Sequence, residues 1–246
     1  MKAVTIKMRE RVLHMKLRKL FLFILCILMV FCFTGCSSEA KKSMDTAVQS
    51  ANALLDKNQK AYDMSTKSTL KKDVKDSEKA NSDADYKKST KKIKSDIKAY
   101  KNSIKQLKQV TKPSQDFLLE RAKTVDTITD VEAATEETDI NNMMNKAGGY
   151  YAYIAMKSSL VTDSYYADQS PVEAGTDGGA VIEAFKTVKA AKARNEYLAA
   201  FDTAGMFNSG SHKVIGTLVI RTSSSLTASQ QKQLEQAIID KLVELK

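Results

Sequence analysis

The first half of the chain repeats apolar residues at helical spacing. Between residues 37 and 110 there is no Pro and no Gly, which favours long uninterrupted helices. Apolar residues of the segment 44–55 share one helical face, and Leu70 and Val74 continue a weaker face after Thr66, a residue suited to the N-cap. The clearest repeat follows the heptad spacing 4-3-4-3-4-3: Tyr86, Thr90, Ile93, Ile97, Tyr100, Ile104 and Leu107.

A heptad stripe needs partner helices to bury it, so three amphipathic segments predict a three-helix bundle over residues 45–112. The alternative is a surface that docks another chain. The segment 47–55, followed by Leu70 and then 97–107, resembles the FIVAR-type three-helix modules of Gram-positive surface proteins. This resemblance covers about residues 45–108. It implies a spacer or a unit that binds glycans or matrix, and it implies no chemistry.

The pattern changes at Lys112-Pro113, because the residue before Pro is pushed toward extended geometry. We expect an α+β domain over residues 113–246. Its predicted elements are a helix at 115–123 capped by Ser114, strands at 128–133, 150–156 and 180–185, a helix at 188–201, a strand at 214–221 and a last helix after Thr227. This order predicts one largely antiparallel four-stranded sheet covered by helices, so the fold class is α+β.

Several separated motifs of this half occur in the order found in a group of Gram-positive surface lipoproteins of unknown activity. They are the segments 110–114, 145–150, 175–179, 191–198 and 210–223. The resemblance covers about residues 110–245 and implies an envelope-associated protein. The turn 136–142 departs from the Asp-Pro-Asn-Gly form associated with that group.

The N-terminal segment has the order of an export signal. Lys16, Arg18 and Lys19 precede the apolar run 21–33, and small residues follow it. A helix of that run reaches about 20 Å, short of the roughly 30 Å hydrocarbon core. We therefore expect a cleaved signal over residues 1–35, with the start at Met1 or at Met15.

The sequence Phe33-Thr34-Gly35-Cys36 resembles the lipobox of bacterial lipoproteins, with Phe33 in place of the usual Leu-like residue. The resemblance implies diacylglycerol on the Cys36 thiol and cleavage before that residue by signal peptidase II. A lipidated tether, residues 36–44, would then hold the protein at the extracytoplasmic face of a Gram-positive cell membrane. The alternative is an uncleaved membrane anchor with an unmodified Cys36.

Charge is unevenly distributed along the chain. The formal net charge is +10, and residues 37–112 carry nineteen Lys against ten acids, whereas residues 113–246 carry thirteen Lys and Arg against eighteen. The basic half lacks Arg, which does not suit a nucleic-acid partner. We interpret it as a solvated helical surface; the alternative is attraction to anionic envelope polymers or lipid headgroups, which weakens with salt. All three Cys lie in residues 1–36, so no disulfide stabilises the exported part.

Three features were weighed as chemical sites. Glu137, Asp139 and Asn141 alternate like calcium ligands, but the central Gly and later Glu are missing, so a solvated turn without metal is expected. The segment 175–179 precedes a strand, which favours a turn with positive φ over a phosphate cradle. A Ser-His-Asp assembly at His212 stays open, without a nucleophile-elbow motif. We expect no cofactor and no enzymatic activity.

Tyrosines are concentrated near two loops, at positions 150, 151, 153, 165 and 166. Successive strand residues face opposite sides, so some are core, while Tyr151, Tyr165 and Tyr166 are candidates for exposure. Exposed Tyr suits sugars or protein partners because it offers flat apolar area and a hydroxyl.

The sequence thus predicts a noncatalytic surface lipoprotein with a diacyl anchor, a helical spacer and an α+β module for binding or for envelope organisation. The alternative is a lipid-anchored enzyme or a substrate-capturing accessory protein for a small envelope-derived molecule. A cleft with converging carboxylates favours the alternative, and a flat Tyr-rich patch favours the first interpretation.

Overall fold

The protein is described by a computed structural model that covers residues 38–202 and 210–245. The predictions on the signal segment and on Phe33, Thr34, Gly35 and Cys36 lie outside these residues. Within the described ranges, no helix is long and apolar enough to cross a membrane.

Three helices make up residues 38–112, here called the helical unit: α1 (Glu39–Leu55), α2 (Ser65–Ser77) and α3 (Asp83–Gln109). Ser38 caps α1, since its hydroxyl accepts a hydrogen bond from the Lys41 amide at 3.2 Å. The predicted N-cap at Thr66 is wrong. Helix α2 begins one residue earlier, and the Thr66 hydroxyl donates instead to the carbonyl of Asp63 at 2.7 Å.

The apolar faces of α1 and α2 pack along the heptad stripe of α3. Their shared core contains Ala47, Ala51, Leu54, Ala61, Leu70, Ile93 and Tyr100. Tyr100 is fully buried, and its hydroxyl donates to the carbonyl of Gln59 at 2.7 Å. Because this buried hydroxyl is hydrogen-bonded, burying the largest side chain of this core leaves no polar group unsatisfied.

The remainder of the chain forms an α+β unit around one antiparallel sheet. Its elements are α4 (Gln115–Ala122), β1 (Ile128–Ala133), β2 (Ala152–Ser158), a 3-10 turn (Ser164–Tyr166), α5 (Pro171–Ala174), β3 (Gly179–Ala184), α6 (Val188–Asp202), β4 (His212–Ile215), β5 (Leu218–Thr222) and α7 (Ala228–Val243). The strand order is β1-β2-β3-β5-β4, and each neighbouring pair is antiparallel.

The predicted count of four strands is wrong because the segment 214–221 is not one strand. It bends at Gly216-Thr217, and the two arms pair with each other as β4 and β5. Gly216 has φ +56°, and Gly at the first place of a two-residue loop is typical of type II′ hairpins. The sheet therefore has five strands.

The two faces of the sheet are covered by different elements. Ile154, Ile182 and Ile220 point toward α4 and α7. Tyr153, Val181 and Val219 lie on the opposite face, in a second core that includes Ala191 and Leu198 of α6. Because side chains alternate along a strand, Glu183 and Arg221 also belong to this second face, where they are surrounded by apolar residues.

The end of α3 is built into the α+β unit. Val110 is fully buried in the first core, and its carbonyl accepts a hydrogen bond from the Thr217 amide at 3.0 Å. The Lys112 amide donates to the Thr217 hydroxyl at 2.8 Å. The β4–β5 hairpin therefore holds the helical unit directly.

Candidate functional site

A cleft of about 770 Å³ opens beside α5 and the 3-10 turn, and we call it the tyrosine cleft. Its rim carries Tyr165, Tyr166, Asp168, Gln169, Glu173 and Asp177. The exposed residues Ile140 and Asn141 also border it, and its less accessible lining consists of Tyr153, Thr176 and Arg221. Two of the three tyrosines predicted as binding residues thus lie at the mouth of one concave site.

Tyr165 and Tyr166 form an edge-to-face pair on the rim, with ring centroids 5.2 Å apart and an interplanar angle of 86°. Tyr165 is 71% exposed. The Asp163 carboxylate starts the 3-10 turn by accepting a hydrogen bond from the Tyr165 amide at 2.9 Å. The pKa of Tyr166 is raised, mainly by the nearby carboxylate of Asp177. The Tyr166 hydroxyl therefore stays protonated, and the pair presents aromatic surface at the mouth of the cleft.

The backbone of the rim is held in place from below. The Lys157 ammonium group, on β2, donates to the carbonyls of Ala167 and Gln169 at 2.7 and 2.9 Å. Ser170 and Glu173 then form a capping box that starts α5. These contacts fix the loop between the 3-10 turn and α5, so the rim is positioned before a ligand binds.

The floor holds two buried donors without an acceptor. The Tyr153 side chain is 1% exposed, and its hydroxyl, which has the side chains of Asn141 and Thr176 beside it, donates to no acceptor among the described residues. The Nε–H of Arg221 likewise has no acceptor among them. Burial, followed by the charge of Glu183, raises the pKa of Tyr153 to about 12, so its hydroxyl is protonated at neutral pH. Unpaired buried donors are uncommon, and a ligand oxygen could satisfy both.

A glycine allows this floor to form. Gly175 has φ +57°, and a Cβ there would lie 2.6 Å from Cδ1 of Ile140 and 3.5 Å from the Tyr153 hydroxyl oxygen. The prediction that the segment 175–179 needs positive φ is confirmed at this residue. Its role in bringing the turn against Tyr153 was not visible in the sequence.

An ion network lies beneath the cleft. The fully buried carboxylate of Glu183 accepts two hydrogen bonds from Arg194, at 2.8 and 2.9 Å, and one from Nη1 of Arg221 at 3.1 Å. Glu183 thereby balances one of the two guanidinium charges, and the rim adds three carboxylates, those of Asp168, Glu173 and Asp177, so that carboxylates outnumber the two guanidinium groups. The cleft as a whole therefore favours a ligand with a positive group.

Tyr151 is not part of this site. It is half-buried against the core on the α4 side, and its hydroxyl donates to the carbonyl of Pro113 at 2.6 Å. The expectation that Tyr151 is exposed is wrong, because strand β2 begins only at Ala152 and the tyrosine before it turns inward.

The turn 136–142 is not a solvated turn around Asp139, which is only 7% exposed. The carboxylate accepts hydrogen bonds from the Tyr150 hydroxyl at 2.5 Å and from the amides of Asn141, Met143 and Met144. Burial opposes the charge, but these hydrogen bonds hold the pKa of Asp139 below its ordinary value. In the described ranges no group of three or more His, Cys, Asp or Glu is placed to hold a metal ion.

The two ring nitrogens of His212 are both occupied. Nδ1 lies 2.9 Å from Oδ1 of Asn195, and Nε2 lies 2.8 Å from Oδ2 of Asp202. The hydroxyl of the adjacent Ser211 contacts Thr222 and Glu235 instead. The described residues around His212 therefore do not form the Ser-His-Asp assembly that the sequence left open. The histidine instead lies between Asn195 and Asp202.

Comparisons with models of protein families, with curated proteins and with solved structures give no match to this chain.

Proposed function

We propose that this chain is a noncatalytic extracytoplasmic lipoprotein that is anchored through Cys36 and captures a small envelope-derived ligand in the tyrosine cleft. The single observation that carries the proposal is the combination of an exposed Tyr165 ring, paired with the half-buried Tyr166, and a buried Tyr153 hydroxyl without an acceptor in one cleft. Small-molecule sites typically join apolar surface with a few convergent polar groups in this way.

The cleft offers three kinds of contact. The Tyr165 ring provides a flat apolar face, the Tyr153 hydroxyl and the Arg221 Nε–H are donors, and the rim carboxylates attract a cation. A hydroxylated ring that bears a free amine satisfies all three, so an amino sugar is the ligand class that we favour. An unmet buried donor costs about 1–3 kcal/mol, and this cost is recovered when a ligand oxygen binds.

The helical unit suits the role of a spacer, which we propose as a three-helix bundle of the FIVAR type. Helix α1 begins at Glu39, three residues after the proposed lipid site. At the other end, α3 enters the α+β unit at Val110. A 27-residue helix is about 40 Å long, so the cleft would stand well above the bilayer.

We favour binding without catalysis because charged groups of the cleft already serve the fold. The Glu173 carboxylate accepts a hydrogen bond from the Ser170 amide, and Arg221 is paired with Glu183. The concave shape and the rim carboxylates favour capture of a small molecule over a flat docking patch. A concave site with carboxylates is the feature that favours a substrate-capturing accessory protein over a surface that binds through a flat patch, whereas an anchored enzyme would release an altered ligand.

The test is a titration of the full chain, in non-ionic detergent, with glucosamine tetramer and with its N-acetylated counterpart, followed by NMR of labelled tyrosine rings. We expect the free-amine oligomer to shift the Tyr165 and Tyr166 signals and to bind at least about ten-fold more tightly, a difference of about 1.4 kcal/mol. Both oligomers should be recovered chemically unchanged.

Tyr165→Ala should weaken this binding by about ten-fold or more, since it removes the exposed ring. Tyr197→Ala is the matched control, because Tyr197 is 56% exposed and also forms an edge-to-face pair, with Phe201 at 4.9 Å. The proposal for the cleft is wrong if neither oligomer shifts the rim tyrosines, or if both variants lose binding equally.

A further inference from the structure

Seven lysines run in a single line along α3, and we call them the lysine stripe. They are Lys87, Lys91, Lys94, Lys98, Lys101, Lys105 and Lys108. Their spacing is 4-3-4-3-4-3, which keeps them on one face of the helix, and all seven are exposed. At about 1.5 Å per residue the stripe is about 32 Å long, with one positive charge about every 5 Å.

These charges are not balanced by neighbouring acids. Between Lys87 and Lys108 the sequence has nine lysines and one acid, Asp96, which contacts Asp73 on α2. None of the seven ammonium groups forms an ion pair with any residue that the structure describes. Lys92, outside the stripe, does pair with Asp73 at 2.6 Å. An ordinary solvated helix face usually mixes charges of both signs, and this one does not.

The N-terminal end of the stripe borders a groove between α3 and α1. A cavity of about 320 Å³ is lined by Lys87, Lys91 and Lys94 together with Ala40, Ser43 and Thr90. The lining thus combines three lysines of the stripe with small and hydroxyl side chains. Ala40 and Ser43 lie four and seven residues after Cys36, so the groove is at the end of the helical unit where the proposed anchor joins.

We propose that the lysine stripe binds a linear phosphodiester polymer of the cell envelope, which lies along α3 with one end in this groove. A chain with one charge per repeat can follow a single file of evenly spaced ammonium groups and can enter a groove. A flat layer of lipid headgroups spreads its charges over an area, and a single file of lysines matches that area only along one line. This second site lies on a different unit from the tyrosine cleft, and the inference does not depend on a ligand there.

The energetic signature of such binding is release of counterions. Seven phosphate contacts predict a slope of about −5 in a plot of log association constant against log salt concentration, using the coefficient for flexible single strands. Affinity should therefore fall about 10³-fold between 50 and 200 mM salt.

The test measures fluorescence anisotropy of labelled polyglycerol phosphate with the full chain in non-ionic detergent over that salt range. The stripe variant replaces the three central lysines by glutamine: Lys94→Gln, Lys98→Gln and Lys101→Gln. We expect the slope to change from about −5 to about −3 and the affinity at 100 mM salt to fall about ten-fold or more. Arginine at the same three positions should keep both the slope and the affinity.

The control variant removes the same net charge elsewhere, at exposed lysines of α2 and α6: Lys71→Gln, Lys189→Gln and Lys192→Gln. We expect it to bind within about two-fold of the unmodified chain. Equal losses in the stripe and control variants would show attraction by net charge alone and would overturn the inference. A competition experiment adds vesicles of phosphatidylglycerol and phosphatidylcholine to the complex with the labelled polymer. If the vesicles bind the stripe more tightly than the polymer does, the occupant is the membrane surface and the inference is wrong.

Discussion

Arg221 donates from Nη1 to Oε1 of Glu183 at 3.1 Å, while its Nε–H has no acceptor among the described residues. The same carboxylate is held by Arg194 through two hydrogen bonds. The three side chains connect β3, α6 and β5 on the face of the sheet beneath the tyrosine cleft. Because the carboxylate is fully buried, its removal would leave the two guanidinium groups without a counter-charge between the sheet and α6.

Glu183→Ala should therefore destabilise the protein by about 3–5 kcal/mol, the usual cost of breaking a buried ion pair from one side. The free energy of unfolding in urea measures this. Glu244→Ala serves as the comparison, since Glu244 is 58% exposed and meets Arg121 at 3.4 Å. It should cost less than about 1 kcal/mol. Similar losses in the two variants would mean that the buried network does not stabilise the fold.

Tyr153→Phe should separate stability from binding. The hydroxyl donates to no acceptor, so its removal should leave the melting temperature unchanged or raise it, because an unmet buried group is destabilising. Binding of the glucosamine tetramer should nevertheless fall, since a donor is lost from the floor of the cleft. A lower melting temperature with unchanged binding would contradict the role assigned to this hydroxyl.

Tyr150→Phe, three residues before Tyr153, is the matched control for Tyr153→Phe. Its hydroxyl donates to Asp139 at 2.5 Å and accepts from Asn141 at 3.1 Å, and burial together with the Asp139 hydrogen bond raises the pKa of Tyr150. Its loss should cost about 1–3 kcal/mol. Thermal unfolding of the two variants side by side tests whether one hydroxyl is structural and the other is available to a ligand.

Asp96 should make the stability of the protein depend on pH. Burial, and then the neighbouring carboxyl group of Asp73, raise the pKa of Asp96 to about 6. The folded state therefore holds this proton more tightly than the unfolded state, whose carboxyl has a pKa of about 4. The resulting stabilisation is fully present below about pH 4 and is lost as the pH rises through 6.

Asp96→Asn should keep a donor toward Asp73 and remove the repulsion between the two carboxylates. We expect this variant to be more stable than the unmodified chain by about 1 kcal/mol at pH 7.5, a value reduced for solvent screening, and nearly equal at pH 4.5. Asp45→Asn, on the surface of α1, controls for charge removal. If Asp96→Asn is more stable by the same amount at both pH values, the stability difference does not come from the raised pKa of Asp96, and this explanation is wrong.

Gly216→Ala tests how the helical unit is held. A Cβ at Gly216 would lie 2.1 Å from the carbonyl oxygen of Val110, and the residue has φ +56°. At Gly148 φ is +78°, but a Cβ would meet nothing within 4 Å. Gly148→Ala should therefore cost about 1–2 kcal/mol from backbone strain alone, and Gly216→Ala at least about twice as much. Equal losses in urea unfolding would show that the contact with Val110 is unimportant.

Much of the secondary structure could be predicted from periodicity. Strand β1 was predicted at its observed bounds, and Ser114 and Thr227 cap their helices as expected. The hairpin at Gly216 was missed because five β-prone residues surround the glycine, and the pattern of side chains alone does not show that the backbone reverses there. The short α5 helix was missed too, because four residues are too few to display a helical period.

The cleft was only partly predictable. The exposure of Tyr165 follows from its residue type and position, whereas Tyr166 is half-buried. That both lie in one cleft with Tyr153 and Arg221 depends on strands that are distant in the sequence. Glu183 gave no signal of burial, since a carboxylate in a strand normally faces solvent. Its position became intelligible only through Arg194, which is supplied by the helix packed on that face.

The claim that the protein is lipid-anchored is tested most directly by the intact mass of the native product extracted from membranes. We expect a chain that begins at Cys36 and carries the added mass of diacylglycerol on that residue. A product that retains residues 1–35, or one with a free thiol at Cys36, would contradict it.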